Sequence, residues 1–379
     1  MRGSPVRFLA GVLLGLLALG GSGLATAAAK QATKQAAGPA AADTAGGFRI
    51  DTVSAPRRGG ENRFPIVAGG SEVARAINLF LHSIELQTQP GGDSSAAFAA
   101  LPRTTLGIDY QVVGNSARLL SLRIERLEAG RLRHPRGAGW TFDTGSGRPL
   151  AIGALFSPEG YGRLRQRVAT QRVQRVRNLQ QTLGQDADDE NTTAETLAIY
   201  DDCLDSIRGD TLTDDQLFIG ADRIALEHGD CAAPDYLDYD VLRPLRVEIP
   251  FTELAADLND YGRCLLLGSG RTPCPATVDE GPQPGSYAGT IGKRPVTVVF
   301  ERKYDGDRIS GSFVFDRRYH RLEGRSQRDG KAKLYETGAS SDELLCEFTL
   351  FGKPDGRIEG TWRSLADNQL QPLVLKPLR

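Results

Sequence analysis

The segment WTFDTGSG, residues 140–147, contains residue types that could perform acid–base chemistry. An apolar strand that runs into Asp-Thr-Gly is the context in which aspartic proteases present a catalytic carboxylate, and here that carboxylate is Asp143. Such catalysis needs two carboxylates that share one proton, but the sequence has a single Asp-Thr-Gly and no later Asp-Ser-Gly. We expect Asp143 to end a strand and to hydrogen-bond the backbone of a tight turn. A hydrolase centred on Asp143 is kept as the alternative.

Ligands for metals, phosphates and nucleotides do not occur at the spacings that these groups require. The sequence has no Cys-x-x-Cys, His-Glu-x-x-His, Gly-x-Ser-x-Gly or dinucleotide fingerprint. The acidic stretches 186–190 and 235–240 lack the glycine and the terminal glutamate of an EF-hand. The four histidines, His82, His134, His228 and His320, have no ligand spacing. The sequence therefore predicts neither a metal nor a cofactor, and it favours a binding protein over an enzyme.

The first 29 residues are organised like a secretory signal peptide. Arg2 and Arg7 precede an apolar run from Phe8 to Leu19, and residues 25–29 offer a cleavage site. No segment is long and apolar enough to span a bilayer, so we expect no transmembrane segment in the mature chain. Removing residues 1–29 takes away two Arg and no acid, which leaves a net charge of (46 − 2) − 47 = −3. Without a basic excess the chain is not expected to bind nucleic acid, and we expect a periplasmic or secreted location.

The five cysteines fit an exported protein, in which disulfides form. Four of them, Cys203, Cys231, Cys264 and Cys274, allow three connectivities. We favour Cys264–Cys274, because glycine and proline let the intervening loop turn, and this leaves Cys203–Cys231. Cys346 is left over, and alternation along its strand predicts a buried, inert thiol.

The elements that must position Asp143 belong to a predicted α+β domain, residues 61–280, which follows a flexible leader, residues 30–60. Ser71 is predicted to cap a helix, and alternation predicts a β-hairpin over residues 104–127. A strand, a turn and a second strand are predicted over residues 217–226.

Two further helices are predicted from their start signals. Ser157-Pro158-Glu159 begins a helix whose polar face carries six arginines, Arg163, Arg165, Arg167, Arg172, Arg175 and Arg177. We interpret that face as solvated rather than as a nucleic-acid surface, because no aromatic residues are interleaved. Thr252 is predicted to cap a short helix.

From residue 283 to residue 379 the hydrophobic period becomes two and stays there. Hairpin turns such as Asp329-Gly330 and Asp355-Gly356 separate the runs. The predicted strands are 286–291, 295–302, 308–316, 320–326, 331–336, 345–351, 357–363 and 371–376. The fold class is therefore an α+β domain followed by an all-β antiparallel barrel or sandwich.

Four segments resemble a bacterial extracytoplasmic domain of unknown function. They are residues 140–156 (WTFDTGSGRPLAIGALF), residues 218–226 (FIGADRIAL), residues 233–236 (APDY) and residues 247–254 (VEIPFTEL). That domain is the sensor end of lysozyme-responsive anti-sigma factors and also occurs beside the catalytic domain of some peptidoglycan deacetylases. The resemblance covers about residues 61–267. It implies an α+β domain exposed to the cell envelope, without catalysis of its own.

The function that follows is a non-catalytic, exported cell-envelope protein that binds an envelope protein or a peptidoglycan or other glycan ligand. Aromatic side chains are the expected contacts, and Trp140, Tyr236 and Tyr239 are the candidates. Two alternatives stay open, the Asp143 hydrolase and a carrier that holds a small apolar ligand in the C-terminal β domain.

Overall fold

The computed structural model describes residues 46–57, 60–89, 94–99, 101, 105–128, 135–185, 190–213, 215–228, 245–268, 274, 282–303, 307–316, 318–327, 330–337 and 344–378. The predicted signal peptide, the leader up to residue 45, Tyr236 and Tyr239 lie outside these residues. The rest of the predicted leader differs from the expectation, since a strand occupies most of it. That strand is β1, Ile50–Arg57, which pairs antiparallel with β2, Gly60–Val67.

The first helix packs its apolar face onto the sheet that follows. Helix α1, Glu72–Leu81, begins where predicted, and the Ser71 side chain accepts a hydrogen bond from the Ala74 N–H. A π-helical turn, His82–Leu86, continues it, and α2 covers Ser94–Ala99. The buried α1 residues Ile77 and Phe80 contribute to a core formed with β1, β2 and the next sheet.

The sheet that carries Asp143 is a three-stranded meander. Its strands are β3, Thr105–Asn115, β4, Leu119–Glu128, and β5, Pro135–Asp143, in the order β3-β4-β5. The predicted hairpin is therefore confirmed, and so is the strand that was expected to end at Asp143, which joins the hairpin as the edge strand β5. Phe80 of α1 packs edge-on against both Trp140 and Phe142 of β5, so α1 packs against the end of β5 that leads to Asp143.

Two long helices and a second small sheet complete the α+β part. After a 3₁₀ turn at Ile152–Leu155 come α3, Pro158–Gln185, and α4, Glu190–Gly209. Strands β6, Gln216–Ile219, β7, Arg223–Glu227, and β8, Arg246–Pro250, form an antiparallel sheet. Helices α5, Phe251–Leu254, and α6, Asp260–Leu267, follow. The predicted cap at Thr252 is wrong, because the helix starts at Phe251 and its capping position is Pro250, two residues earlier than predicted.

The C-terminal part is a closed eight-stranded barrel rather than a sandwich. Its strands are β9, Gly285–Ile291, β10, Arg294–Lys303, β11, Arg308–Phe315, β12, Arg318–Ser326, β13, Lys331–Thr337, β14, Leu344–Gly352, β15, Ile358–Ser364, and β16, Leu370–Pro377. All eight lie within two residues of the predicted bounds. Strands β16 and β9 close the barrel, and a Cβ on Gly289 would lie 1.8 Å from the carbonyl oxygen of Val374, so only glycine permits this approach.

The barrel contacts α1 through one side. Ser286 Oγ donates to the Ala76 carbonyl at 2.8 Å, and Val299, which points outward from β10, is buried in the core around α1. Inward-facing residues such as Phe300, Phe313 and Phe348 fill the barrel core. Because apolar residues at a period of two face inward, the pattern that predicted the strands also supplies this core.

The structure supports the predicted cysteine chemistry where it describes the residues. Cys264 and Cys274 are bonded, and Cys346 is a buried free thiol. Cys203 is also disulfide-bonded, and its predicted partner Cys231 lies outside the described part of the chain. None of the described helices is long and apolar enough to cross a membrane.

Candidate functional site

Asp143 is held by hydrogen bonds inside the turn that ends β5. One carboxylate oxygen accepts from the Gly145 N–H at 2.7 Å, and the other accepts from Ser146 Oγ at 2.9 Å and from the Tyr261 hydroxyl at 3.0 Å. Burial, followed by the Asp143 charge, raises the pKa of Tyr261, so the phenol stays protonated and donates. No described carboxylate is among the partners of Asp143, and the arrangement is that of the expected turn rather than of a proton-sharing pair.

A cleft of about 450 Å³ lies beside this turn. Its walls come from Gly139–Thr141 of β5, the segment Pro149–Ala154, the start of β6, Asn259, and Glu301 of the barrel. This volume is within the usual range of small-ligand sites, which are mostly apolar with a few polar groups. The described lining contains two carboxylates, Asp215 and Glu301, and no Lys or Arg.

Glu301 and Asp215 differ in what they offer a ligand. Asp215 is buried and uses both carboxylate oxygens in hydrogen bonds to Arg172 and His228. Glu301 is only partly buried, and Ser310 Oγ donates to one of its oxygens at 3.1 Å. Glu301 is therefore the acidic group of the cleft that can accept further hydrogen bonds.

Trp140 is a wall of the cleft, but it is not the exposed aromatic contact that the sequence suggested. Only 4% of it is exposed. Its indole N–H donates to Glu85 at 2.6 Å, and Arg126 donates to the other Glu85 oxygen at 2.8 Å. Glu85 lies in the π-helical turn, and its buried side chain faces inward to accept from both Trp140 and Arg126. Trp140 belongs to the core because α1, the π-helical turn and β4 supply the residues around it. Its position on an alternating strand does not predict this burial.

The pKa of the buried Glu85 carboxyl depends on groups of the core and also on Glu301, which lines the cleft. Burial raises the pKa of the Glu85 carboxyl, the Arg126 charge and the Trp140 N–H oppose this, and the nearby Glu301 charge adds to it. In the same turn, burial lowers the pKa of His82 to about 4, so His82 is neutral at neutral pH. Its two ring nitrogens have no hydrogen-bond partner among the described residues.

A second buried cluster reaches the cleft through Asp215 and ties α3 to the segment before β6. Arg172 is 1% exposed and donates to Asp210 and Asp215, and His228 Nδ1 lies 3.0 Å from Asp215 and 3.2 Å from Asp210. Burial opposes a charge on His228, but hydrogen bonds to the two carboxylates outweigh it and raise the pKa of His228 to about 9.

Asp210, Asp215 and His228 have ligand atoms within 4.8 Å of one another, as a metal site requires. The Arg172 guanidinium, however, bridges the two carboxylates with Nη1, and with a protonated His228 it balances their charge. A divalent cation would have to displace Arg172 and compete with the proton on His228. We therefore interpret Arg172, His228 and the two aspartates as a structural ion-pair network rather than as a metal site.

The arginine-rich face of α3 is largely occupied by contacts within the chain. Arg163 pairs with Asp257 and Arg167 with Glu253, while Arg165 donates to the Asp210 carbonyl at 3.1 Å. Arg172 is buried in the cluster described above. Four of the six arginines therefore bind other parts of the α+β domain.

Sequence reasoning placed Asp143 in a turn and favoured the Cys264–Cys274 pair, both as the structure has them, but it missed Glu85, Arg172 and Glu301. Glu85 and Glu301 are single acids in amphipathic segments, a pattern that also describes ordinary surface residues. The one signal for Arg172 is its helical spacing from Val168 and Val176, which are both buried, and this spacing places Arg172 on the apolar face of α3.

Comparisons with known proteins add one similarity. No protein-family model and no curated protein matches the chain. Among solved structures, the chain is similar to a member of the DUF3298 family from Bacteroides fragilis NCTC 9343, with 11% sequence identity and a TM-score of 0.37. The similarity covers 56% of this chain and 95% of that one. The finding is a similarity to a DUF3298-like domain, and it identifies neither an activity nor a ligand for this chain.

Proposed function

We propose that this protein is a non-catalytic, exported cell-envelope protein and that it binds a glycan in the cleft beside β5. The observation that carries the proposal is the cleft itself, which joins apolar walls to a small number of hydrogen-bonding groups. Export is argued from residues 1–29 of the sequence alone. The turn geometry of Asp143 favours binding over hydrolysis, because its carboxylate oxygens accept from three donors.

The chemistry of the lining selects among envelope ligands. Glu301 accepts hydrogen bonds, and the described lining offers no Lys or Arg to an anionic group. Sugar hydroxyl and N-acetyl groups donate to such a carboxylate, and the apolar walls suit the faces of sugar rings. An uncharged glycan segment therefore fits better than an anionic peptide.

Isothermal titration of the mature protein with chitotetraose, a soluble oligomer of N-acetylglucosamine, tests the proposal. Gly153 lines the cleft, and a Cβ placed there would make ordinary contact with Tyr161 at 3.8 Å. Gly153→Leu should fill the cleft and lower the affinity by about tenfold or more. Gly162→Leu is the matched control, because a Cβ at Gly162 meets nothing within 4 Å, and it should bind like the wild type.

Two results would contradict the proposal. Equal affinity of Gly153→Leu and Gly162→Leu for chitotetraose would show that the sugar does not bind in the cleft. Absence of binding to the wild type would contradict the proposal that the ligand is a glycan. The appearance of new reducing ends during incubation would show catalysis instead of binding.

A further inference from the structure

The free edge of β5 presents backbone groups to the cleft. Strand β5 is the last strand of its sheet, so β4 pairs with only one of its two edges. At the other edge the Leu150 N–H donates to the Thr141 carbonyl at 2.7 Å, and the Asp143 N–H donates to the Arg148 carbonyl at 3.0 Å. Because alternate residues of a strand direct their N–H and C=O groups to the same edge, Gly139 directs both of its groups to this free edge.

Three backbone groups at this edge are left for a ligand. Among the described residues, nothing pairs with the Thr141 N–H or with the N–H and C=O of Gly139. Both residues are buried, and both line the cleft. The Thr141 hydroxyl, by contrast, donates to the Leu217 carbonyl at 2.7 Å. Since buried backbone groups are almost always hydrogen-bonded, a molecule that fills the cleft is expected to bond these three.

The free edge is short, and its length limits what can pair with it. On one side of Gly139 the Gln216 side chain donates to the Gly137 carbonyl. On the other side Leu150 occupies the Thr141 carbonyl. A peptide that adds a strand to a sheet needs a longer run of open groups. The open groups of β5 belong to two alternate residues, so they suit one amide carbonyl better than a peptide strand.

We propose that the cleft recognises the N-acetyl group of an amino sugar; this rests on the proposed function and narrows its ligand to N-acetylated glycans. The acetamido carbonyl accepts from the N–H of Gly139 or Thr141, and a sugar hydroxyl donates to the Gly139 carbonyl. The acetyl methyl group contacts the apolar lining, which includes Leu150, Ile152 and Leu217. A glycan with a hydroxyl at this position lacks both the carbonyl and the methyl group, so it binds more weakly.

Two tetrasaccharides that differ only at this group test the proposal. Chitotetraose and cellotetraose have the same ring and the same linkage, and cellotetraose carries a hydroxyl wherever chitotetraose carries an acetamido group. Isothermal titration of the mature protein should give an affinity for chitotetraose about tenfold or more above that for cellotetraose, because one hydrogen bond and one buried methyl group are gained. Gly162→Leu should keep this preference, since a Cβ there meets nothing within 4 Å.

Hydrogen–deuterium exchange at single-residue resolution tests the contact itself. Saturating chitotetraose should slow exchange of the Gly139 and Thr141 amides by about tenfold. Cellotetraose at the same occupancy should slow it less. The amides of β3, at the other edge of the same sheet, serve as the internal control and should exchange equally with and without sugar.

The outcomes separate this proposal from the proposed function. If both sugars bind the wild type equally and Gly153→Leu weakens both, the cleft binds a glycan but does not recognise the N-acetyl group, and the inference is overturned alone. The same conclusion follows if chitotetraose binds without slowing exchange at Gly139 and Thr141. If chitotetraose does not bind, the proposed function and the inference are overturned together.

Discussion

Replacing Arg172 with methionine should reveal a large buried electrostatic contribution to the stability of the α+β domain. The guanidinium makes two hydrogen bonds to Asp215, at 3.2 and 2.6 Å, and one to Asp210 at 3.0 Å. It also donates to the carbonyl oxygens of Leu245 and Leu226. Methionine keeps much of the side-chain volume but removes all five of these bonds.

The magnitude follows from what the substitution leaves behind. Asp210 and Asp215 have side chains that are 8% and 0% exposed, and only His228 would remain to balance them. Breaking a buried ion pair by removing one partner costs about 3–5 kcal/mol. We expect a loss of that size in the free energy of unfolding, measured by urea denaturation at pH 7 with far-ultraviolet circular dichroism.

A second arginine on the same helix supplies the control. Arg163 pairs with Asp257 but is 58% exposed, and exposed pairs contribute about 1 kcal/mol or less. Arg163→Met should therefore change the unfolding free energy by under about 1 kcal/mol. If Arg172→Met costs no more than Arg163→Met, burial does not distinguish the two arginines and the reasoning about the cluster is refuted.

Three further predictions concern protons and cross-links. The pKa of His228 is raised to about 9, against 6.5 in the unfolded chain. Its contribution to stability is therefore complete below pH 6.5 and is lost as the pH rises to 9. In a series of urea denaturations at different pH values, His228→Gln should flatten the pH dependence of the midpoint between pH 6.5 and 9. Tyr261→Phe removes one donor to Asp143 and should cost about 1 kcal/mol, whereas a cost near zero in thermal unfolding would show that the turn does not need it. Replacing Cys264 and Cys274 together with serine should lower stability by about 2–3 kcal/mol, because the bond closes a short loop. Reductant should then lower the melting temperature of this variant less than that of the wild type, since only the disulfide of Cys203 remains for it to reduce.

The barrel strands could be predicted almost completely from the sequence. Alternation of the kind found in Leu344–Leu350, with Cys346, Phe348 and Leu350 inward, is a local pattern, and the turn residues between runs are local as well. What the pattern left open was closure, because a barrel and a sandwich use the same alternating strands. The pairing of β16 with β9 decides this, and it joins segments that are about eighty residues apart.

The candidate sites depended much more on packing. Asp143 was expected in a turn because Asp-Thr-Gly is a local signal, but its partner Tyr261 comes from α6. Trp140 was considered as an exposed contact, and the structure buries it against Glu85. No local pattern predicts that contact, since Glu85 and Trp140 are 55 residues apart in the chain and meet only through tertiary packing.

Sequence patterns alone predicted most of the helices and strands and the order of the two parts of the chain, and they favoured the Cys264–Cys274 pair among three connectivities, because each depends on periodicity, turn residues or loop length between neighbours in the chain. Tertiary structure alone decided which arginine of α3 is buried, where the cleft lies, and that the free edge of β5 lines it. The physical reason is that burial and pairing are properties of contacts between distant segments. The same side chain is a solvated surface group or a buried partner according to what packs against it.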